Sequence, residues 1–193
     1  LTIGTNDVSL RFSDGANAIF PVNTAGASRD AATDLGFSSI RFKDLYLSGG
    51  VYLGGTAAAN KLDDYEEGTW SSTLSGVTAT SATVSGMYTK VGRTVTINGY
   101  LNVSGFSSGS GNLNINGLPF TATGLANSRN IISFGACVGL ALPTAGQSVV
   151  GRVNTNGDFV QLMLWDNTSG NTNMQATEFS ATGDVTLTGS YYV

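Results

Sequence analysis

Histidine is absent from this chain of 193 residues, and cysteine occurs once, at position 137. Without histidine there is no Ser-His-Asp or Cys-His nucleophilic system, and the commonest general base is missing. A single cysteine can form neither an intrachain disulfide nor a cysteine-based metal cluster. Because Cys137 lies in the apolar run 131–138, we expect a buried small hydrophobe rather than a reactive thiol. We therefore predict no catalytic residues, no metal site and no cofactor.

Charged residues are also scarce, at 11% of the chain, under half of the usual share. No long stretch shows a helical pattern, whereas 41% of the residues are hydrophobic and many of them alternate with polar ones. This composition favours a folded all-β protein over disorder. No apolar run approaches the roughly 20 residues of a membrane-spanning helix, so we expect no membrane insertion. From the opening at Leu1 we expect a fragment of a longer protein, in which case the absence of an N-terminal targeting signal carries no information.

The net charge of −4 lies wholly in the first third of the chain. Residues 1–67 hold nine acidic and five basic residues, and the remainder holds four of each sign. No basic patch is available to neutralise a row of phosphates. We therefore expect no nucleic-acid partner.

Alternating apolar residues predict strands throughout the region from Thr69 to the last residue. Residues 94–103 place Val95, Ile97, Leu101 and Val103 on one face. The pair Asn156-Gly157, between two apolar runs, predicts a type I′ hairpin turn. The fold class expected for this region is a jelly-roll-like β-sandwich.

Two predicted strands, 131–142 and 158–165, are apolar on both faces. A sandwich strand buries only one face within its own subunit. The second face must therefore be covered by a loop, a partner subunit or a ligand. We interpret both strands as lining a subunit interface, with small residues permitting close approach, and the residues alone indicate only an oligomer.

The segment Leu45–Leu53 carries an apolar or glycine residue at every second position, which predicts extended chain. A lone ribbon of this kind is marginally stable in water and needs other copies or a parallel partner. It is followed by small residues and then by the acidic residues Asp63, Asp64, Glu66 and Glu67.

This part of the sequence resembles a junction found in tail-fibre and related virion proteins of tailed bacteriophages. The resemblance is carried by DLGFSSIRFKDLYLSGG and DDYEEGTW within residues 34–70, and by the later segments 86–93 and 111–120. It implies a short fibrous β stem (residues 1–60), an acidic hinge (61–68) and a β-sandwich head (69–193) in a homotrimer. The expected trimer-interface residues are Leu45, Leu47, Val51, Leu53, Phe134, Val138, Phe159 and Met163.

The stem has a competing interpretation. Ser9–Phe12 and Ser39–Phe42 repeat the pattern Ser-apolar-Arg-Phe about thirty residues apart, which favours short strands strung along an axis. Two ordinary strands of one domain would give the same pattern, since two copies do not establish a repeat.

The acidic run 63–67 is the one candidate for carboxylate catalysis, since glycoside hydrolysis needs two carboxyl groups flanking a bond. Catalytic pairs need distinct environments, and adjacent acids in a polar linker are simply solvated. We interpret the run as hinge or surface, with a cation held on an oligomer axis as a lesser alternative.

An aromatic residue followed by short polar side chains is typical of a sugar site, because C–H faces pack on rings and hydroxyls take hydrogen bonds. Residues 165–173 offer this combination within one loop. The competing interpretation is a polar turn beside a tryptophan buried at an interface. The candidate receptor-binding residues are Trp165, Asp166, Asn167, Asn171 and Asn173.

The sequence thus predicts a non-catalytic tail-fibre protein of the virion that attaches to a glycan or protein on the host cell exterior. Its partners would be two further copies of itself and other phage tail or virion proteins. A purely structural virion protein, such as a capsid decoration or baseplate trimer, is the first alternative. A depolymerase tailspike is the second, although the paired acids on a long β-helix expected of that class are missing from these residues.

Overall fold

The computed structural model describes residues 2–5, 7–125 and 130–193, and this part of the chain is all-β. Its only helical elements are two short 3₁₀ turns, Ala58–Asn60 and Ala176–Glu178, and it contains no helix long and apolar enough to cross a membrane. The predicted all-β class is confirmed. The strands, in chain order, are β1 (Thr2–Thr5), β2 (Val8–Ser13), β3 (Ala18–Val22), β4 (Val51–Tyr52), β5 (Lys61–Leu62), β6 (Tyr65–Leu74), β7 (Val77–Thr78), β8 (Ser81–Val91), β9 (Thr94–Ser104), β10 (Ser108–Gly109), β11 (Asn114–Asn116), β12 (Asn130–Leu140), β13 (Ser148–Val153), β14 (Phe159–Asp166), β15 (Gly170–Asn173) and β16 (Phe179–Tyr192).

Contacts divide the chain into two compact units, Leu1–Ser48 and Gly49–Val193. We call them the N-terminal unit and the barrel unit and describe each by itself. Residues 65–68, which the sequence assigns to a hinge, form the start of β6. The sequence-based boundaries of stem, hinge and head stay predictions.

The N-terminal unit contains a three-stranded antiparallel sheet in the order β1-β2-β3. One face is covered by the chain that follows β3: Val22 is fully buried, and Arg11 donates a hydrogen bond to the Gly26 carbonyl while lying 5.3 Å from the centre of the Phe20 ring. Cation–π contact and burial therefore stabilise this face.

The opposite face of the same sheet is apolar and uncovered. Cross-strand pairing aligns Ile3 with Leu10 and Phe12 with Ile19, so these four side chains share one face. Each is between 41% and 58% exposed. We call these four residues the apolar sheet face.

The apolar stripe predicted for residues 45–53 forms a strand only at Val51–Tyr52, which pairs with β5. The stripe is not a continuous strand in a single copy, since residues 45–50 have no strand neighbour, and its pairing with other copies stays a prediction. The Ser-apolar-Arg-Phe echo is likewise not a structural repeat. Ser9–Phe12 lies in β2, but Ser39–Phe42 lies outside any strand.

The barrel unit is dominated by one antiparallel sheet that closes on itself. The order is β11-β6-β8-β9-β16-β12-β13-β14, and β11 pairs again with β14, which completes the ring; β15 adds to the far part of β14. Closure removes the unpaired edges that an open sheet would expose. Many neighbouring strands in this sheet also follow one another along the chain, namely β6-β8, β8-β9, β12-β13, β13-β14 and β14-β15. The jelly-roll subtype stays a prediction.

The interior of the ring is filled by the apolar side of each strand. In β9, Val95, Ile97, Leu101 and Val103 are buried as the alternation predicts, while their neighbours point outward. The same core takes in Val160, Leu162 and Leu164 of β14 and Ile132 of β12. This packing fixes which residues of β12–β15 face outward.

The predicted hairpin between β13 and β14 is present, but its turn differs from type I′. Asn156 has a positive φ of 56°, whereas Gly157 has none, and the Gly157 N–H donates to the Asn154 carbonyl at 3.0 Å. A type I′ turn needs positive φ at both central residues. The loop is longer than expected, since pairing resumes only at Val153 and Val160.

Strand β12 departs from a regular ladder after Phe134, with register shifts on both sides of Val138. Cys137 lies in the irregular part and is exposed although it pairs with the buried Val185, so the prediction of a buried cysteine is wrong. Val138 is also exposed, as is Ile131. The second apolar face of β12 is therefore uncovered in a single copy.

Candidate functional site

Three of the five candidate receptor-binding residues meet on the outer face of β14 and β15. Trp165 is paired with Asn171 on one side and Ser148 on the other, and Met163 is paired with Asn173. Directly paired residues share a face, so the indole ring and both amides lie on the same surface. Trp165 is 47% exposed and Asn171 and Asn173 are exposed. We call these three residues the aromatic platform.

The turn beside the aromatic platform is held by Asp166. Its Oδ1 accepts hydrogen bonds from the Thr168 N–H at 2.8 Å and the Ser169 N–H at 2.6 Å, and its Oδ2 accepts one from the Gln147 side-chain amide at 3.1 Å. Gly170 closes the turn with a φ of 70°, a conformation that favours glycine. These hydrogen bonds, the one from Ser169 above all, lower the pKa of Asp166.

Replacing Asp166 with alanine is expected to speed hydrogen exchange at the Thr168 and Ser169 amides, because both lose their acceptor. In the native chain the lowered pKa keeps the carboxylate charged to a lower pH than an ordinary aspartate. The order that this carboxylate gives the turn should be fully present above the ordinary aspartate pKa and be lost as the pH falls through the lower folded-state pKa. NMR of the two amides across pH measures both effects. Asp158→Ala, at an exposed aspartate, is the control, and equal exchange in both variants would contradict this role.

The sequence-predicted binding residues thus divide into two groups. The structure brings Trp165, Asn171 and Asn173 together. The carboxylate of Asp166 is instead engaged in the hydrogen bonds that hold the turn. Asn167 is exposed at the tip of the turn, where its side-chain oxygen accepts a hydrogen bond from the Thr168 hydroxyl.

The residues predicted for a trimer interface differ in what they expose. Met163 is only 6% exposed, so its own chain already covers it. Phe134 and Phe159 are half-buried, and Phe134 packs against the barrel core. The remaining five are exposed: Leu45 and Leu47 in the N-terminal unit, and Val51, Leu53 and Val138 in the barrel unit.

Each acidic residue of the run 63–67 has a specific partner. Asp63 pairs with Lys61 at 3.0 Å, and Asp64 pairs with Lys90. Glu66 accepts a hydrogen bond from the Tyr88 hydroxyl, and Glu67 accepts one from the Tyr65 hydroxyl at 3.0 Å. These bonds raise the pKa of both tyrosines, and the described residues hold no group of three or more acidic or cysteine side chains that could bind a metal ion.

The Lys90 side chain connects this run to one end of the barrel. Its ammonium lies 4.9 Å from the centre of the Phe120 ring, and Phe120 meets Tyr88 edge to face at 5.4 Å. The acidic run therefore leads into β6, and its carboxylates are engaged by contacts within the barrel unit.

Sequence reasoning missed two outward-facing features. One is a shallow groove of about 580 Å³ across β6, β8, β9 and β16, whose centre is the cross-strand row Thr69, Met87, Asn98 and Thr188. The other is Arg152 on β13, two residues from Val150 and on the same outer face as Trp165. The signal for Arg152 was available, because it is a lone charge at an outward position of an otherwise apolar strand.

The fold is similar to part of a solved structure, the crystal structure of Dettilon tailspike protein. The TM-score is 0.52 and the identity 21%, over 65% of this chain and 24% of that protein. The chain thus spans about a quarter of the length of the protein it resembles. No protein-family model and no curated protein matches the chain. The likeness establishes a fold shared with a region of a tailspike protein.

Proposed function

We propose that this chain is part of a tail-fibre or tailspike-type virion protein that attaches a phage to a glycan on the host cell exterior. The observation that carries the proposal is the aromatic platform, in which a half-exposed indole lies beside two outward amides on a rigid sheet. Sugars present C–H faces that pack on aromatic rings and hydroxyls that bond to amides. The fold shared with a tailspike region and the tail-fibre-like sequence of residues 34–70 support the same assignment.

We further propose that the protein works as a homotrimer bound to other tail or virion proteins. The support is the amount of apolar surface that one copy leaves uncovered, above all the apolar sheet face and the exposed residues Leu45 and Leu47. Soluble monomers rarely expose contiguous apolar patches of this kind. Three copies would also present three platforms together, so weak single sites would give useful avidity.

The proposed attachment is non-catalytic. Asp166, the acidic residue beside the aromatic platform, is engaged by three hydrogen bonds and holds a turn. A glycosidase needs a second carboxyl group across the bond to be cleaved, with its pKa set apart from the first. Release of reducing sugar from a bound polysaccharide would overturn this part of the proposal.

Replacing Trp165 with alanine is expected to weaken glycan binding at least tenfold, as for a central aromatic anchor. The fold should persist, because the side chain is half exposed and lies outside the barrel core. The measurement is binding of the labelled chain to a glycan array and to bacterial cells, with thermal melting run alongside. Tyr192→Ala removes a comparably exposed aromatic from β16 and is the matched control.

Two results would contradict the adhesion proposal. If the native chain binds no glycan and does not block phage adsorption to cells, a structural virion protein that contacts only other phage proteins becomes the better assignment. If Tyr192→Ala and Trp165→Ala reduce binding equally, the aromatic platform is not the site.

A further inference from the structure

A half-buried arginine lies on the same outer face as the aromatic platform. Arg152 on β13 is paired with Gln161 on β14, and Gln161 is paired with Asn114 on β11. Trp165 lies four residues beyond Gln161 on the same strand, about 13 Å away at the rise of a β-strand. An even spacing keeps the side chains on one face, so the arginine and the indole bound a continuous strip.

The guanidinium of Arg152 has no counter-ion among the described residues. One nitrogen, Nη2, donates to Gln161 Oε1 at 2.8 Å, and the buried Nε has no hydrogen-bond partner. No carboxylate of the described residues lies within 4.0 Å of it, whereas the partly buried Lys61 and Lys90 of the barrel unit are each paired with an aspartate. An arginine has five N–H donors, and a charge withdrawn from water needs compensation.

The neighbouring polar groups offer donors as well. Gln161 Oε1 accepts hydrogen bonds from both Arg152 and Asn154, the second at 3.4 Å. This engages the side-chain oxygen of Gln161 and leaves its amide nitrogen to donate. The row therefore offers an unpaired cation and amide donors to a negatively charged group, beside one acceptor, Asn114 Oδ1, which is buried without a hydrogen-bond partner.

The space between the two ends is apolar. Met163 and Val150 are paired across β14 and β13, midway between the row of Trp165 and the row of Arg152. Met163 is buried and Val150 is half-buried, so they form a floor without free polar groups. Such a floor suits the C–H faces of sugar rings.

We propose that the strip from Trp165 to Arg152 binds a carboxylated oligosaccharide of the uronic-acid type, with one sugar ring on the indole and the carboxylate on the guanidinium. A planar carboxylate matches the arginine fork in a bidentate geometry. One cation balances one carboxylate, whereas a phosphomonoester would bring nearly two charges. The inference rests on the proposed glycan adhesion and adds the chemical class of the glycan.

Asp166 does not oppose an acidic ligand at this strip. It is adjacent to Trp165 in the strand, so its side chain leaves from the opposite face. Its carboxylate is also already engaged by Thr168, Ser169 and Gln147.

The test is an array on which each uronic-acid-containing oligosaccharide is printed beside its counterpart with the carboxyl group reduced to an alcohol, together with phosphorylated oligosaccharides. The native chain is expected to prefer the acidic member of at least one pair. Arg152→Gln should remove that preference and lower affinity about tenfold to a hundredfold, as loss of charge-assisted hydrogen bonds predicts. Arg152→Lys should fall between, because it keeps the charge and loses the fork.

Arg93→Gln removes an exposed arginine elsewhere on the barrel unit and is the matched control. The Tm of each variant is measured to verify that it is folded. If Arg152→Lys has the native Tm but a lower affinity for the acidic glycan, unfolding does not explain the lower affinity. Equal binding of acidic and reduced glycans, or preference for phosphorylated ones, overturns this inference while leaving adhesion intact. Binding of no glycan by the native chain overturns both.

Discussion

Replacing Gly86 with alanine is expected to destabilise the barrel unit by about 3 kcal/mol, the upper part of the usual range for overpacking a core. A Cβ atom at Gly86 would lie 1.9 Å from the Asn98 carbonyl oxygen and 2.7 Å from Trp70 Nε1. That nitrogen donates a hydrogen bond to the same carbonyl at 3.0 Å, so neither neighbour can retreat without losing the contact. The backbone on one side and a buried indole on the other leave no space for a methyl group.

The measurement is thermal melting at one fixed protein concentration, followed by tryptophan fluorescence and circular dichroism. For a chain of this size the expected fall in Tm is roughly 6–12 °C. Gly49→Ala is the matched control, because nothing lies within 4 Å of a Cβ built there and its φ is not positive. A control Tm within about 2 °C of the native value is expected. A Gly86→Ala variant with the same Tm as the native chain would contradict this prediction and show that β8 and β9 can separate locally around Trp70.

The role of Gly86 also shows where sequence reasoning stops. In the sequence, the segment beginning Gly86-Met87-Tyr88 resembles the β-head of tail-fibre proteins, and this resemblance gives no physical reason for its glycine. The structure supplies the reason, since Gly86 and Gly99 are paired across β8 and β9 and Trp70 lies against both. A glycine inside a strand indicates close approach, but only the register of three strands reveals what approaches.

Local alternation was sufficient where each strand buries one face. The inward residues of β9 follow directly from period-two spacing, because a one-residue slip would expose all of them. In β14 both faces are apolar, so the spacing alone does not show which face is inward. The pairing of Trp165 with Asn171 also follows from a tight connection between two short strands. All three residues of the aromatic platform are candidates from the sequence, but the expectation that residues 165–173 form one loop is wrong, because Trp165 lies in β14 and Asn171 and Asn173 lie in β15.

Long-range pairing was not accessible in the same way. The return of β11 to pair with both β6 and β14, which closes the ring, depends on contacts between distant segments. Arg152 and Trp165 come into line only after β13 and β14 are registered, so the strip between them had no sequence signature. Cys137 is exposed and lies between two register shifts of β12, and such irregularities leave no trace in the apolar pattern of the sequence.

Replacing Phe12 with aspartate is expected to convert the proposed homotrimer into monomers at micromolar concentration. Phe12 lies at the centre of an uncovered row with Ile19 and beside Leu10, and all three are 41% to 58% exposed in one copy. Complete burial of an exposed side chain of this size contributes about 1.5–3 kcal/mol to the free energy of association. Each of these side chains is already about half buried in one copy, so its contribution is about half of that. A carboxylate placed in the same contact without a partner costs several kcal/mol, so association should weaken by roughly a hundredfold or more.

Sedimentation equilibrium of the native chain and the Phe12→Asp variant measures this change, since the masses of one and three copies are well separated. Ala16→Asp adds the same charge to the exposed turn between β2 and β3, outside the apolar sheet face, and should leave the oligomer intact. A native chain that sediments as a monomer would contradict the trimer. A trimer that survives Phe12→Asp would instead leave the trimer in place and assign the apolar sheet face to another virion protein. In that case the exposed residues Leu45 and Leu47 would be the next surface to test, because they too are uncovered in a single copy.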